Sequence, residues 1–171
     1  MKRKGFPESY DVGRMITFLA SVKAGSTTAV APIYSHFAYD ILPSQYHIVR
    51  RPDVLIFEGL NMLLESSTVT DIASDYLDLL LYLDANEVFL EEWYIKRFLL
   101  LQNTAFQDPA SYFHSYRNLS PAEASDVATN IWREVNLPNL RENILPARSH
   151  ADAVLRKRID HSLSEIWLRH C

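Results

Sequence analysis

Glu58-Gly59 follows directly on four apolar residues, Val54-Leu55-Ile56-Phe57. A carboxylate at the end of a covered strand is where a phosphate-transfer enzyme holds Mg²⁺ or its waters, and the glycine lets backbone or ligand come close. The alternative is a solvated strand end entering a turn, because glutamate is usually exposed. Further on, Tyr94, Arg97, Phe98 and Leu101 stand at i, i+3, i+4 and i+7, so a guanidinium shares a helix face with two rings. Arginine's planar fork suits phosphate. A neighbouring carboxylate, or a packed stem with its head in water, would satisfy the same residue.

The segment Phe106-Gln107-Asp108-Pro109-Ala110-Ser111-Tyr112-Phe113-His114-Ser115-Tyr116 is crowded with rings that must bury against something. They build either a small core under the loop or an apolar pocket whose hydroxyls orient a ligand. His36 lies between Tyr34 and Tyr39, where a polar wall and a structural role are both open. The other histidines show no metal-ligand spacing. None of the four glycines, Gly5, Gly13, Gly25 and Gly59, sits in G-x-x-x-x-G-K-[ST] or G-x-G-x-x-G. The backbone cradle for ATP phosphates and its lysine are therefore not within this sequence, and there is no G-x-S-x-G nucleophile turn.

Strands and helices must position these groups. Val12, Met15, Ile16, Leu19 and Val22 predict a helix over 10–25, capped by Ser9 or Asp11 and ended by Gly25. Ala29 to His36 reads as extended around Pro32. Val54–Phe57 and Leu77–Leu83 read as strands covered on both faces, as in a parallel sheet. Residues 86–101 form an amphipathic helix. Asp108-Pro109 opens a short helix, and Ser120-Pro121-Ala122-Glu123 is a capping box with proline at the first helical position. From that box Ala124, Val127, Ala128, Ile131 and Val135 make one stripe, which Pro138 ends. Ala151–Leu155 is a last short strand and 160–169 a closing helix. Alternating strands and helices give an α/β class with a parallel sheet.

The 171 residues, 48% hydrophobic and 22% charged with net charge -4, suit one folded domain and exclude a disordered chain. The mild acidity gives no reason to bind nucleic acid or an anionic membrane. The basic start lacks the apolar run of a signal peptide, and no apolar stretch is long enough to span a bilayer. The single cysteine, Cys171, permits neither an internal disulfide nor a cysteine zinc site, which fits a reducing cytoplasmic setting.

The strings Lys4-Gly5-Phe6-Pro7-Glu8-Ser9-Tyr10-Asp11, Tyr34-Ser35-His36, Glu58-Gly59-Leu60-Asn61, Trp93-Tyr94-Ile95-Lys96-Arg97-Phe98, Asp108 to His114 and Asn143-Ile144-Leu145-Pro146 occur in order along nearly the whole chain. Together they resemble the type I (bacterial) pantothenate kinases. The resemblance implies a P-loop kinase fold and phosphorylation of the pantothenate 4′-hydroxyl by Mg-ATP, the first step of coenzyme A synthesis. It also implies a homodimer and feedback inhibition by coenzyme A. Residue by residue, it places Tyr34, His36 and Tyr39 at the pantothenate and coenzyme A region. Glu58 falls near the phosphates, reaching Mg²⁺ through water. Tyr94, Arg97 and Phe98 form the helix face over the site, with Arg97 on phosphate. Phe106, Tyr112, Phe113 and Tyr116 form the aromatic pocket, and Asn136 bonds pantothenate. Leu101 departs from the ring usual there, and residues 61–75 match less well.

In that family the P-loop and the strand bearing the catalytic aspartate precede the Lys-Gly-Phe-Pro string, which here begins at residue 4. The expectation is thus a single incomplete domain over 1–171, the carboxyl-terminal part of such a kinase without its P-loop strand and inactive alone. A missing central strand would leave an unpaired sheet edge. Two other readings are a non-catalytic pantothenate- or coenzyme A-binding module that partners a kinase, and a related P-loop kinase of a nucleoside or sugar acid.

Overall fold

The computed structural model describes residues 3–63 and 72–169. Cys171 and the middle of the 61–75 segment lie outside these residues. The first helix, α1, spans Val12–Lys23. Asp11 caps it by accepting from the Arg14 backbone N–H at 3.1 Å, and Gly25 follows in the left-handed region at φ 70°. β1 (Ala29–Ser35) and β2 (Asp40–Val49) form an antiparallel hairpin that the apolar pattern of the sequence leaves unannounced. Nearly every β2 side chain is exposed, so no burial alternation marks it. Phe18, Leu19 and Ala29 form a core with Ala73, and Leu55, Phe57 and Leu77 pack against it.

The run 54–57 corrects the expectation of a doubly covered strand. It is extended but pairs with no strand among the described residues. Leu55 and Phe57 face the α1 core, while Val54 and Ile56 are 80% and 88% exposed. One packed face stabilises half the run, and the other half meets water.

The second sheet holds β3 (Leu81–Ala85), β4 (Ala153–Lys157) and β5 (Leu163–Leu168) in the order β3-β4-β5. β3 and β4 are parallel, and β5 returns antiparallel. The fold is α/β with a mixed sheet flanked by helices. The closing helix expected over 160–169 is replaced by β5. His161 sits at φ 66°, and Asp160 accepts from the Ser162 N–H and hydroxyl, so the chain turns sharply and its remaining residues pair with β4.

α2 spans Glu87–Gln102 and α3 Pro121–Ile131, the latter opened by the full reciprocal capping box of Ser120 and Glu123. Pro138 does not end the helical path. The path continues through Ile144 by way of two π turns, Trp132–Asn136 and Leu140–Ile144, around Leu137–Asn139. A π turn moves the acceptor back by one residue, which accommodates a proline that donates nothing. Asp108-Pro109 opens a turn rather than a helix, with Asp108 Oδ1 accepting from the Ala110 N–H at 2.9 Å.

Candidate functional site

The 105–116 loop is tied down from below. Phe98 and Phe106 are buried with Ala124 and Ala128 between α2 and α3, and Leu101, Phe113 and Tyr116 pack around them. Phe98 meets Phe106 edge-on at 5.4 Å between ring centres, and Phe106 meets Phe113 at 5.2 Å. Gln102, buried at the end of α2, donates to the carbonyls of Leu119 (2.6 Å) and Tyr116 (3.3 Å). Gln107 donates to the Gln102 carbonyl at 2.7 Å, and His114 Nδ1 lies 3.0 Å from the Phe106 carbonyl. These bonds satisfy a buried backbone that has no regular ladder.

Upon this base stands a wall of phenols. The tip of the β1–β2 hairpin reaches the loop through the Tyr112 N–H, which donates to the Phe37 carbonyl at 3.1 Å. Tyr39, at φ 56°, stacks on Tyr112 at 4.7 Å and meets Phe113 edge-on at 4.9 Å. Tyr34 and His36 pack edge-to-face at 5.1 Å. Lys4 holds its ammonium 5.3 Å from the Tyr34 ring and 5.4 Å from the Tyr39 ring, with Asp40 at 3.7 Å. Burial pushes the hydroxyls of Tyr34, Tyr39 and Tyr94 above their ordinary range. At Tyr94 a hydrogen bond from Asn136 acts the other way, and Tyr39 and Tyr116 add a little to the rise. The phenols stay protonated at neutral pH, and each can donate as well as accept.

Of the twelve residues expected at a site, the structure gathers Tyr34, His36, Tyr39, Tyr94, Tyr112, Phe113, Tyr116 and Asn136 around this wall, with Phe98 and Phe106 in the core beneath it. Glu58 and Arg97 stand apart in character. Both are exposed, and neither is ion-paired with the other or hydrogen-bonded to any described residue. The structure thus turns Arg97 to solvent while Phe98 is buried in the core, and it does not bring Arg97 and Glu58 together. A single exposed carboxylate is also the kind of protein ligand that Mg²⁺ takes when it keeps its waters and binds substrate phosphates. Among the described residues no three His, Cys, Asp or Glu side chains converge on a common point. The residues that the sequence reading missed are Lys4, Asp40, Tyr10, Asn61 and Asn139. Three of them, Lys4, Tyr10 and Asn61, lie in the quoted strings, which was the available signal. A separate recess beside the start of β3, lined by Leu77, Asp78, Leu80, His150 and Asp152 among others, includes none of the expected site residues.

The sequence profile of the phosphoribulokinase / uridine kinase family matches residues 5–99, more than half the chain. The chain belongs to this family. Its fold is that of the P-loop kinases, in keeping with the α/β sheet and flanking helices described above. The chain is 48% identical over 174 residues to the pantothenate kinase of Brucella ovis, and equally to those of Brucella canis and Brucella abortus. Each alignment covers 99% of this chain and 54% of the relative, so the chain spans about half the length of the curated relatives it matches. No helix among the described residues is long and apolar enough to cross a membrane.

Proposed function

We propose that this member of the phosphoribulokinase / uridine kinase family carries the acceptor-binding part of a pantothenate kinase. The observation that carries this reading is the phenol wall built from Tyr34, Tyr39, Tyr94, Tyr112 and Tyr116 over a packed aromatic base. Pantothenate is a short, flexible molecule with hydroxyls, an amide and a carboxylate. Aromatic faces cover its carbon skeleton, and phenols with the Asn136 amide meet its polar groups. Lys4 is the nearest fixed cation for the carboxylate. Identity with named pantothenate kinases along 99% of the chain supports the same substrate over a nucleoside or sugar acid.

In this reading the enzyme transfers the γ-phosphoryl group of Mg-ATP to the pantothenate 4′-hydroxyl. Arg97, free to reorient, would meet the transferred phosphoryl charge, and Glu58 would hold waters of the Mg²⁺ ion. Mg²⁺ supplies charge neutralisation between the phosphates; the residues of this chain bind and orient the acceptor. Phosphoryl transfer rests on positioning and charge, and the sequence holds no G-x-x-x-x-G-K-[ST] string. The 171-residue chain by itself is therefore inactive. Coenzyme A, which contains the pantothenate skeleton, would occupy the same rings as an inhibitor. A homodimer and a cytoplasmic location belong to the same proposal.

The test is an incubation of the pure chain with Mg-ATP and pantothenate, with saturation-transfer NMR on pantothenate alongside. Saturation transfer without phosphopantothenate is the expected pair of results. Product formation by the chain alone would contradict its inactivity. Absence of transfer in a folded sample would contradict the binding role.

A further inference from the structure

Residues far apart in the sequence meet at one backbone oxygen, and two of the strings quoted above supply Gly5 and Asn61. The Gly5 carbonyl accepts from Asn61 Nδ2 at 3.0 Å and from Asn139 Nδ2 at 2.9 Å. Asn143 Nδ2 in turn donates to Asn139 Oδ1 at 2.9 Å. Asn61 and Asn139 are 2% and 5% exposed, and Asn61 Oδ1 is buried with no donor among the described residues. Burying two amides is costly compared with burying apolar side chains of the same shape. Their presence therefore calls for a benefit other than stability.

The benefit is legible in what each residue of the network touches next. Gly5, at φ 90°, is the neighbour of Lys4, whose ammonium lies over the Tyr34 and Tyr39 rings. Asn61 lies close enough to Tyr10 to offset part of the rise that burial imposes on the Tyr10 hydroxyl. Asn61 also stands three residues after Glu58. Asn139 lies three residues beyond Asn136 on the same helical path, and Asn136 offsets part of the rise that burial imposes on the Tyr94 hydroxyl. A single carbonyl thus ties the segment that carries Lys4 to the segment that carries Asn61 and to the helical path that carries Asn136.

We propose that Asn61 and Asn139 are positioning residues of the acceptor site, acting through the Gly5 carbonyl. The proposal rests on the acceptor-binding reading given above. It goes beyond that reading because the described hydrogen bonds of both residues go to the Gly5 carbonyl and to Asn143, not to the ring cluster. A shift of an ångström in any one wall would misplace groups that must act together on one ligand.

The experiment compares the unsubstituted chain with Asn139→Leu, Asn61→Leu, the double variant and Asn139→Gln, which keeps an amide donor. Thermal melting, pantothenate calorimetry and amide hydrogen exchange are measured on each. Each single leucine variant is expected to weaken pantothenate by about tenfold, the loss set by one buried hydrogen bond removed with its partner left unpaired. The double variant should fall well short of the product of the two losses, because both act through one acceptor. Asn139→Gln should recover part of the affinity. In Asn139→Leu, exchange should rise together over residues 4–10 and 58–62. Pantothenate affinity unchanged in the leucine variants, with lower melting temperature alone, would overturn the proposal. So would exchange that rises in one segment and leaves the other as it was. Coupled exchange in a chain that fails to bind pantothenate would overturn the acceptor reading while leaving the three-way tether in place.

Discussion

Tyr94 shows how one residue joins the fold to the site. Its ring packs against Trp132 at 5.8 Å and in the α2–α3 core, while Asn136 offsets part of the effect of burial on its hydroxyl. Burial raises that hydroxyl, as it does those of Tyr10, Tyr39 and Tyr82. A pKa raised in the folded state means that folding favours the protonated phenol. The associated stability is complete below the unfolded value of about 10 and is lost as pH rises through the folded value. The urea midpoint should therefore fall above about pH 10, and Tyr94→Phe should lessen the fall relative to the unsubstituted chain. Identical alkaline profiles for the two proteins would show that Tyr94 ionises as freely folded as unfolded. Arg97 presents the opposite case: an exposed cation with no described partner, whose replacement by alanine should leave the melting temperature unchanged within error.

Among the elements, those with a local chemical signal were readable in advance. The box at Ser120 and Glu123 closes with the Glu123 carboxylate accepting from the Ser120 N–H at 2.8 Å. Ser120→Ala should cost about 1 kcal/mol in urea unfolding, and no change would mean that α3 is held by packing alone. α1 was likewise marked by period and caps, whereas α2 forms with little amphipathic period. β2 and β5 were not, because an exposed strand or a strand formed by a turn carries little apolar pattern. The run 54–57 was misread because four apolar residues imply two covered faces, and only one is covered. A related feature marks the β3-β4-β5 sheet. Register places Leu81 beside Ala153 and Leu168, and Leu83 beside Leu155 and Ile166, on one face. Leu81, Leu83, Ile166 and Leu168 are each at least half exposed. Such a face, with the outer edge of β3 unpaired among the described residues, favours self-association. Leu83→Lys with Ile166→Lys should lower light scattering of concentrated samples. Unchanged scattering would place the sticky surface elsewhere.

At the scale of the whole molecule, two packed blocks meet at the phenol wall. α1 and the hairpin form one, α2, α3 and the aromatic loop the other, and the hairpin tip touches the loop at Phe37 and Tyr112. The sequence foretold the rings, since their number in one loop demanded burial. It did not foretell the Gly5 carbonyl tether, because hydrogen bonds between residues 5, 61 and 139 leave no local pattern. Glu58 and Arg97 were singled out by type and place, and the structure leaves both exposed and does not pair them. The proposed function stands on the ring wall gripping pantothenate. Isothermal titration of pantothenate into the folded chain and into Tyr112→Ala tests that most directly. Tyr112 is half exposed and stacks on Tyr39, so its loss should leave the fold intact. Saturable single-site heat in the unsubstituted chain, weakened about tenfold or more in Tyr112→Ala by loss of one ring face, is the predicted result. Equal affinity in both proteins, or no heat in either, would contradict it.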